Sequence, residues 1–389
     1  MKIGITLSRY PVVSETFIDT FLSHFDEHEL VLFANVESGT RLKSGWRAKP
    51  YLNHLPGIQQ VPAYLYVVVL IIYHFRRFRT LYQKGVPLKR LIADASIWTT
   101  DGLDVLHFPF GNHVFGREHY AGVMGCAASL SFRGSDVNVF PVFHQLTYKT
   151  VWPHVKKVQA NADELLQKLK DLHSMPDNMP AEIISPALRD AFQLTDNQIE
   201  LLCESRSYTE EHFLTIGRLH WVKDYPLIFY ALSILKQRGI AFRYTIVGGG
   251  PEREHLYYLA HELGITEHIY WKGSLNSDAI LSLMQSCTLY IQSSLAEGFS
   301  NSCIEAQSQG LLCVVTSVSG MEACIENGKT GFICASRRPE DFAEGIIQMT
   351  EMPVSERQER ARYASKRVRD LFTVSRQRQQ WLDFFETMI

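Results

Sequence analysis

Several hallmarks of common functional classes are missing from this 389-residue chain. Its 39 Lys and Arg residues are offset by 41 Asp and Glu residues, and a net charge of −2 gives no reason to expect a nucleic-acid binder. The seven cysteines form no C-x-x-C pair, so the chain lacks the paired-cysteine spacing of a zinc finger. Several cysteines lie inside apolar runs, which is typical of buried residues in a reducing compartment. The first residues, MKIGITLS, have a strand pattern and lack the long apolar stretch of a signal peptide, so we expect a cytoplasmic protein.

No apolar run reaches the roughly 20 residues that a membrane-spanning helix needs. The longest run, Val61–Tyr73, is followed by Arg76, Arg77 and Arg79 and by further basic residues up to residue 90. Two interpretations stay open. The segment 61–90 is either an apolar helix with basic flanks that lies on an anionic membrane surface, or a core helix of the first domain with a solvated end.

The chain is otherwise that of a globular α/β protein. Hydrophobic residues make up 46% and charged residues 21% of it, which is sufficient for substantial cores, and there is no repeat or low-complexity tract. Short apolar runs alternate with helical patterns, which predicts parallel sheets covered on both faces. We predict two doubly wound Rossmann-like domains, at residues 1–185 and 212–370, joined by a linker at residues 186–211. A final helix at residues 371–389 is expected to pack back on the first domain.

The most informative stretch is 292–334, in which Glu297 and Glu305 stand eight residues apart. Glu297 lies on a predicted loop and Glu305 in the first turns of the following helix. Both acids can therefore face a ligand at the N-terminus of that helix. Unpaired N–H groups and the positive end of the helix dipole suit a phosphate there. The two acids would bind hydroxyl groups on either side of the phosphate, as a nucleotide sugar requires.

This stretch resembles the signature of the family 4 glycosyltransferases, which are retaining enzymes with the GT-B fold of two Rossmann-like domains facing a cleft. The resemblance implies that Glu297 binds hydroxyls of the donor sugar and that Glu305 binds the ribose. It also implies that Phe299, Ser300 and Asn301 present backbone N–H groups to the distal phosphate and sugar. Gly298 is expected where the chain passes close to the ligand.

Two cations and a glycine-rich turn extend the expected donor site. Arg218 and Lys223 follow the strand 212–216, where they suit a diphosphate and would stabilise the departing nucleoside diphosphate. They resemble the family's Gly-Arg-Leu…Lys loop. The turn formed by Gly248, Gly249 and Gly250 resembles the family's Gly-x-Gly-Pro turn, where the backbone approaches the nucleotide, although a simple tight turn explains it equally well. The resemblance also places the backbone near Lys272 at the base.

The first domain is expected to supply the acceptor side. Ser14 and Glu15 resemble part of a Pro-x-x-Ser-Glu-Thr-Phe loop found in a subgroup of bacterial exopolysaccharide and capsule enzymes, of the colanic acid or amylovoran type. A helix N-cap at Ser14 with Glu15 in the first turn explains both residues structurally. Arg133 and Asp136 resemble the subgroup's Phe-Arg-Gly-x-Asp, which implies contact between Arg133 and a donor or acceptor phosphate.

The expected histidine motif is altered. Relatives have a His-x-His-Phe-Gly sequence whose second histidine contacts the sugar, and Pro109 occupies that position here. His107 and His113 are the candidates to replace it.

No Asp-x-Asp pair occurs in the chain, whereas metal-dependent glycosyltransferases of the other major fold use one to hold a divalent cation. Arg218, Lys223 and a helix terminus can supply the same charge, so we predict that no metal and no further cofactor is required, with a UDP- or GDP-type sugar as co-substrate. No protein nucleophile is evident. The resemblance implies that the acceptor attacks the donor directly and that the leaving phosphate takes the proton.

We predict a retaining, metal-independent hexosyltransferase that acts on a saccharide acceptor, expected to be lipid-linked, in cell-surface polysaccharide synthesis at the inner face of the membrane. The alternatives are a non-catalytic nucleotide-sugar binding protein and a GT-B sugar epimerase, the latter expected to lack the acidic pair. A Rossmann dehydrogenase is disfavoured because the glycine loop lacks the G-x-G-x-x-G fingerprint.

Overall fold

A computed structural model describes residues 1–11, 16–37, 39–51, 57–145 and 147–389. The chain divides into two compact units. The first contains Met1–Ile184 together with Ser375–Ile389, and the second contains Ser185–Val374. Each unit has one parallel sheet with helices on both faces.

The first unit is built on a seven-stranded sheet with the order β3-β2-β1-β4-β5-β6-β7. Its strands are β1 (Lys2–Tyr10), β2 (Glu29–Val36), β3 (Trp46–Lys49), β4 (Val105–Phe108), β5 (Ala127–Phe132), β6 (Lys157–Ala160) and β7 (Ala181–Ile183). Its helices are α1 (Thr16–Ser23), α2 (Gly57–Tyr73), α3 (Phe75–Gln83), α4 (Leu88–Ala93), α5 (Ala95–Trp98), α6 (Tyr120–Met124), α7 (Ser135–Asn138), α8 (Phe140–His144) and α9 (Asp163–His173).

Strand β2 shows why this sheet is covered on both sides. Leu30 and Leu32 pack into the apolar cluster on one face, and Val31 and Phe33 pack into the cluster on the other. Successive side chains of a strand point to opposite faces, so a continuous apolar run fits only a strand that is buried on both.

The second unit has a six-stranded sheet with the order β10-β9-β8-β11-β12-β13. Its strands are β8 (Glu211–Ile216), β9 (Phe242–Val247), β10 (Ile269–Gly273), β11 (Leu289–Gln292), β12 (Leu312–Thr316) and β13 (Gly331–Cys334). Its helices are α10 (Asp196–Ser205), α11 (Tyr225–Gln237), α12 (Arg253–Glu262), α13 (Ser277–Ser286), α14 (Asn301–Ser308), α15 (Met321–Cys324), α16 (Pro339–Thr350) and α17 (Val354–Leu371). The predicted fold class, two doubly wound α/β units, is confirmed.

The strand order reverses once in each sheet. In the first sheet β1 lies between β2 and β4, and in the second β8 lies between β9 and β11. Loops leave the carboxyl ends of two such central strands in opposite directions and open a crevice, which is where ligands bind in doubly wound sheets.

The chain returns to the first unit at its end. Helix α18 (Val374–Glu386) packs Trp381 and Phe385 against Phe21 and Phe25 of the first unit. Residues 186–211, which we predicted as a linker, include helix α10 and lie within the second unit.

Helix α2 contains the apolar run for which two interpretations were left open. Among its described side chains, Val67 is buried, with 2% of its surface exposed. Seven others have between 51% and 82% of their surface exposed: Tyr64, Leu65, Tyr66, Val68, Val69, Ile72 and Tyr73. Val67 belongs to the core cluster of the first unit, and Leu70 and Ile71 pack against it, so one face of the described part of the run meets the core while the rest is exposed. None of the helices in the described part of the chain combines the length and apolar character needed to span a bilayer.

Candidate active site

The loops that follow β8 and β11 meet at the strand reversal of the second sheet. The Leu295 N–H donates to the carbonyl of Val222 at 2.7 Å, and the Ser293 hydroxyl donates to the carbonyl of Asp224 at 2.7 Å. Because these bonds join the two loops, residues carried by one loop are fixed relative to those carried by the other.

The charged groups on these loops include the Arg337–Asp224 ion pair, and beside it Lys223, Glu297 and Arg218. Lys223 Nζ lies 2.7 Å from a carboxylate oxygen of Glu297, and only 18% and 17% of these side chains are exposed. Arg218 is exposed, and no acidic partner lies within ion-pair distance of it in the described ranges. Lys223, Glu297 and Arg218 together carry one net positive charge, which favours an anionic ligand.

The glycine turn after β9 is explained by contact with the loop after β8. A Cβ on Gly248, whose φ is +141°, would lie 2.0 Å from the Gly217 carbonyl oxygen, and one on Gly250 would lie 2.2 Å from that of Leu219. The Leu219 N–H donates to the Gly249 carbonyl at 3.0 Å. These glycines allow two backbones to touch, which holds Arg218 beside the turn. Approach of this turn to a nucleotide stays a prediction.

Helix α14 begins directly after the acidic loop. The Ser300 hydroxyl accepts from the Cys303 N–H at 3.3 Å and donates to the Gln292 side-chain carbonyl at 2.9 Å, which fixes the start of the helix. The first amides of a helix have no partner within it, so the Asn301 N–H is suited to an anion. The Ser300 N–H instead donates to Cys324 Sγ at 3.4 Å, which corrects its predicted role as a donor to the ligand.

The turn preceding α14 is tightly packed. Phe299 is buried and meets Phe372 edge-to-face with ring centroids 5.3 Å apart. A Cβ on Gly320 would lie 2.2 Å from the Gly298 carbonyl oxygen, so these two turns touch through their backbones. The position of Gly298 is therefore set by packing against Gly320.

Glu305 is almost completely buried and is paired with Arg189. Arg189 Nε donates to a Glu305 carboxylate oxygen at 2.7 Å, and Arg189 Nη1 donates to the Ser277 hydroxyl at 3.2 Å. Burial raises the pKa of Glu305, while the Arg189 guanidinium acts in the opposite direction. Arg189 was not predicted as a site residue, because no local pattern links it to an acid 116 residues away.

Lys272 lies at the carboxyl end of β10 and is exposed. Its neighbour Gly273 accepts a hydrogen bond from the Gly248 N–H at 2.8 Å, which attaches this strand end to the glycine turn. The structure thus brings the backbone of residues 272–273 beside the turn, and contact of this backbone with a base stays a prediction.

In the first unit, the structure separates the two candidate histidines. His107 is fully buried, with its ring nitrogens 2.9 Å from the Ser129 hydroxyl and 3.2 Å from the Ser131 hydroxyl. Burial lowers its pKa well below the usual value. A ring enclosed by Phe21 and Trp381 cannot meet a ligand, so the predicted acceptor-side role of His107 is corrected to a core role.

His113 lies in a short 3₁₀ turn beyond β4 and lines a cavity. Its Nδ1 is 3.3 Å from the Thr6 carbonyl oxygen and its Nε2 is 3.4 Å from the Ser8 hydroxyl. Nδ1 must carry the proton to donate to a carbonyl, which leaves Nε2 as an acceptor. Burial lowers the pKa of His113 to about 4, so the ring is neutral at pH 7.

Asp136 holds a turn together. Its carboxylate is buried and accepts from the N–H groups of Gly111 at 3.1 Å, Arg133 at 2.9 Å and Gly134 at 2.9 Å. Burial raises its pKa, against the effect of these three donors. With its oxygens engaged by the backbone, Asp136 is a structural residue, which corrects its predicted place on the acceptor side.

The neighbouring Arg133 is held against aromatic rings. Its Nε donates to the Pro109 carbonyl at 2.9 Å, and its guanidinium lies 4.2 Å from the centre of the Phe17 ring. Contact between Arg133 and a phosphate stays a prediction. Ser14 and Glu15 lie outside the described residues.

Comparison with known families finds a match within the second unit. Residues 204–368 match the family model described as "Glycosyl transferases group 1". An uncharacterised glycosyltransferase of Methanocaldococcus jannaschii is 28% identical over 137 residues, which is 35% of this chain and 35% of that protein. A D-inositol 3-phosphate glycosyltransferase of Paenarthrobacter aurescens is 25% identical over 158 residues, 40% of this chain and 38% of that protein. The chain thus spans less than two-fifths of the length of these two curated relatives.

Solved structures match over the whole chain. One match is HepE of Anabaena, solved with UDP and glucose. The alignment covers 100% of this chain and 100% of HepE, with a TM-score of 0.71 and 16% identity. Sucrose-phosphate synthase of Thermosynechococcus elongatus covers 100% of this chain and 98% of that chain, with a TM-score of 0.75 and 12% identity. At this identity the likeness shows the fold, which is GT-B. Residues 204–368 therefore carry the sequence pattern of the group 1 glycosyl transferases, within a chain that has the GT-B fold.

Proposed function

We propose that this protein is a retaining glycosyltransferase that moves a hexose from a nucleoside diphosphate sugar to a saccharide acceptor. The observation that carries the proposal is the Lys223–Glu297 pair beside exposed Arg218 at the strand reversal of the second sheet. This group lies inside the segment that matches the group 1 glycosyl transferases. The structurally similar HepE has been solved with UDP-glucose, which supports the choice of a nucleotide-sugar donor.

The charges of the crevice suit such a donor. Arg218 and Lys223 bind the diphosphate, Glu297 accepts from a sugar hydroxyl, and Glu305 accepts from the ribose. In the reaction the bond between the anomeric carbon and the β-phosphate oxygen breaks, while the acceptor oxygen bonds to the same face of that carbon. The acceptor's proton passes to the leaving phosphate. Negative charge grows on the diphosphate in the transition state, so the two cations lower the barrier.

The same cations support a metal-independent mechanism. Arg218 and Lys223 provide the charge that a divalent ion would otherwise provide on the diphosphate. Turnover in excess EDTA should therefore equal turnover in its absence. Loss of activity on chelation, with recovery on addition of Mg²⁺ or Mn²⁺, would show that a metal is required.

Substitutions of Arg218 and Glu297 test the transferase proposal against a non-catalytic binding protein and a sugar epimerase. Arg218→Ala should lower kcat more than it weakens donor binding, because Arg218 acts most strongly on charge that develops in the transition state. Glu297→Gln should also lower kcat, since its contacts form with the sugar being transferred. Arg253→Ala removes an arginine from the first turn of α12 and serves as the control.

The measurements are release of nucleoside diphosphate with and without acceptor, and donor affinity by calorimetry. A non-catalytic binding protein would bind the donor without releasing nucleoside diphosphate. A sugar epimerase would convert the sugar in the absence of acceptor. Wild-type kcat in both Arg218→Ala and Glu297→Gln would exclude the proposed site.

We place the acceptor on a lipid carrier at an anionic membrane surface, in cell-surface polysaccharide synthesis. The exposed apolar side chains of α2 continue into α3, where Arg76 and Arg79 are exposed. Apolar side chains beside cations suit the boundary between acyl chains and anionic headgroups. The Ser14–Glu15 motif adds the resemblance to exopolysaccharide and capsule enzymes, and the surface would place the protein at the inner face of the membrane.

Arg77 has a different role from its two neighbours. Its Nη1 donates to the Trp98 carbonyl at 3.2 Å, and its Nη2 lies 2.8 Å from an Asp101 carboxylate oxygen. Replacing Arg77 would break these contacts, so a membrane test must leave it in place. The contact with lipid phosphates is assigned to Arg76 and Arg79.

Co-sedimentation with lipid vesicles tests whether the exposed side chains of α2 and α3 bind a membrane. Binding should rise with the fraction of anionic lipid and fall with salt, and each cation should contribute about 1 kcal/mol. Arg76→Glu/Arg79→Glu should release the protein. Arg9→Glu/Arg47→Glu changes the net charge equally at exposed positions outside this surface and is the control. If wild-type protein ignores anionic vesicles at low salt, the membrane proposal fails while the transferase proposal stands.

A further inference from the structure

The strand reversal of the first sheet has a crevice of its own. A cavity of about 460 Å³ opens there, with Ser8 of β1 and His113 beyond β4 in its wall. Helix α4 and the turn before it form another part of the wall and bring Lys89 and Arg90 to the cavity. The cavity therefore occupies the position in the first unit that the Lys223–Glu297 pair occupies in the second.

The cavity carries an excess of positive charge. Three cations and one acid line it: Lys89, Arg90, Arg117 and Asp94. Asp94 accepts two hydrogen bonds from Arg117, at 2.7 and 2.9 Å, so these two charges cancel. Arg90 Nη1 lies 3.9 Å from the same carboxylate, so Asp94 faces two guanidinium groups and balances the charge of one. Lys89 has no acidic partner within ion-pair distance across the part of the chain that the structure describes. Two positive charges thus remain available to an anion.

Groups suited to hydroxyls lie beside this charge. His113 is neutral at pH 7, and its unprotonated Nε2 lies 3.4 Å from the Ser8 hydroxyl, so a ligand hydroxyl can donate either to Nε2 in place of Ser8 or to the Ser8 oxygen. Tyr51 adds an aromatic wall, held by the Arg117 guanidinium 5.2 Å from its ring centre. Cations, a neutral acceptor and an aromatic face together suit a sugar that carries an anionic group.

We propose that this cavity binds the acceptor, and that the acceptor is a saccharide bearing a phosphate or a carboxylate. Lys89 and Arg90 bind the anionic group, His113 and Ser8 bind ring hydroxyls, and Tyr51 packs against the ring. The identification of this ligand as the acceptor rests on the proposed transferase function. The binding itself does not, because it involves no donor.

Ligand-observed NMR on the full chain without donor tests the cavity. The probes are glucose 1-phosphate, glucuronate and glucose, which share a ring and differ in charge. One or both anionic probes should show saturation transfer that weakens with salt, and glucose should show none under the same conditions. A preference for glucose 1-phosphate assigns a phosphorylated acceptor, and a preference for glucuronate assigns a uronic acid.

Variants locate the binding. Lys89→Ala/Arg90→Ala should weaken binding of the anionic probe roughly tenfold or more, because the anion loses both cations that face it. The single variant Lys89→Ala should give an intermediate loss. Lys84→Ala removes a nearby exposed cation that does not line the cavity and should change nothing.

Three results would overturn the proposal: no binding of either anionic probe, equal binding of glucose, or a loss in Arg218→Ala with none in the double variant. Failure of the transferase proposal is recognised separately, by the absence of donor turnover. Binding of the anionic probe at Lys89 and Arg90 would stand in that case as a sugar-anion site of unassigned role.

Discussion

At the scale of single residues, the two predicted acids have different surroundings. Glu297 is paired with Lys223 at the edge of the crevice, where part of each side chain still reaches solvent. Glu305 is enclosed with Arg189, and burial raises its pKa. A ligand can thus compete for Glu297 with little rearrangement, whereas the position of Glu305 is fixed by Arg189 and Ser277.

Glu305→Gln should weaken donor binding by about 1.5–3 kcal/mol, because the ribose loses a charged acceptor while the shape of the side chain is kept. Only ionised Glu305 is such an acceptor. Donor affinity should therefore fall as the pH falls through its raised pKa, and this loss should begin at a higher pH than for an ordinary glutamate. Calorimetric titration with the nucleoside diphosphate at several pH values measures both effects. The pH dependence should be flatter in Glu305→Gln, and an unchanged profile would show that Glu305 does not contact the donor.

At the scale of elements, the crevice of the second unit is made by backbones in contact. The β8–α11 and β9–α12 connections touch at Gly248 and Gly250, and the connection after β11 is joined to the first of them through Ser293 and Leu295. Large side chains at the glycine positions would push these connections apart. The placement of Arg218 thus depends on residues that carry no functional group.

The variants Gly250→Ala and Gly249→Ala test whether close contact between the two connections positions Arg218. The new Cβ at position 250 would meet the Leu219 carbonyl at 2.2 Å, whereas the one at position 249 has its nearest neighbour, Ser274 Oγ, at 3.9 Å. Gly250→Ala should cost about 1–3 kcal/mol of stability and reduce donor affinity, because Arg218 shifts with the displaced loop. Gly249→Ala should match wild type in thermal unfolding, because its Cβ meets no close neighbour. Equal behaviour of the two variants would show that the contact between the loops does not position the site.

At the scale of the whole molecule, the first unit is completed by the end of the chain. Trp381, Phe384 and Phe385 of α18 belong to the same apolar cluster as Ile3 and Phe21 near the start. The stability of the first unit therefore depends on residues that follow the second unit in sequence.

Trp381→Ala should cost about 3–5 kcal/mol, because it removes a large, fully buried side chain from this cluster. Amide hydrogen exchange should accelerate in β1 and α1 and stay unchanged in β8 and β11. Phe143→Ala is the control, since this aromatic side chain of the first unit is 82% exposed. Uniform acceleration in both sheets would mean that the two units unfold as one.

The sequence by itself predicted the alternation of strands and helices in both units, although it missed helix α10 in the expected linker, and it predicted that Arg218 and Glu297 follow strands of the second sheet. Strands such as Val105–Phe108 and Leu289–Gln292 are predictable because apolar runs between turns reflect burial on both faces of a parallel sheet. Arg218 and Glu297 are predictable because they follow such strands, where ligands of doubly wound sheets bind.

Only the tertiary structure decided which polar groups are occupied by the protein itself. His107 and His113 look alike in sequence, yet one is enclosed by aromatic rings and the other borders a cavity. The pairing of Glu305 with Arg189 joins residues 116 positions apart, and the exposure of α2 is equally invisible in its apolar run. Periodicity reports how strongly each residue prefers burial. The partner that a buried or exposed group finds is set by strand order and helix packing, which bring distant segments together.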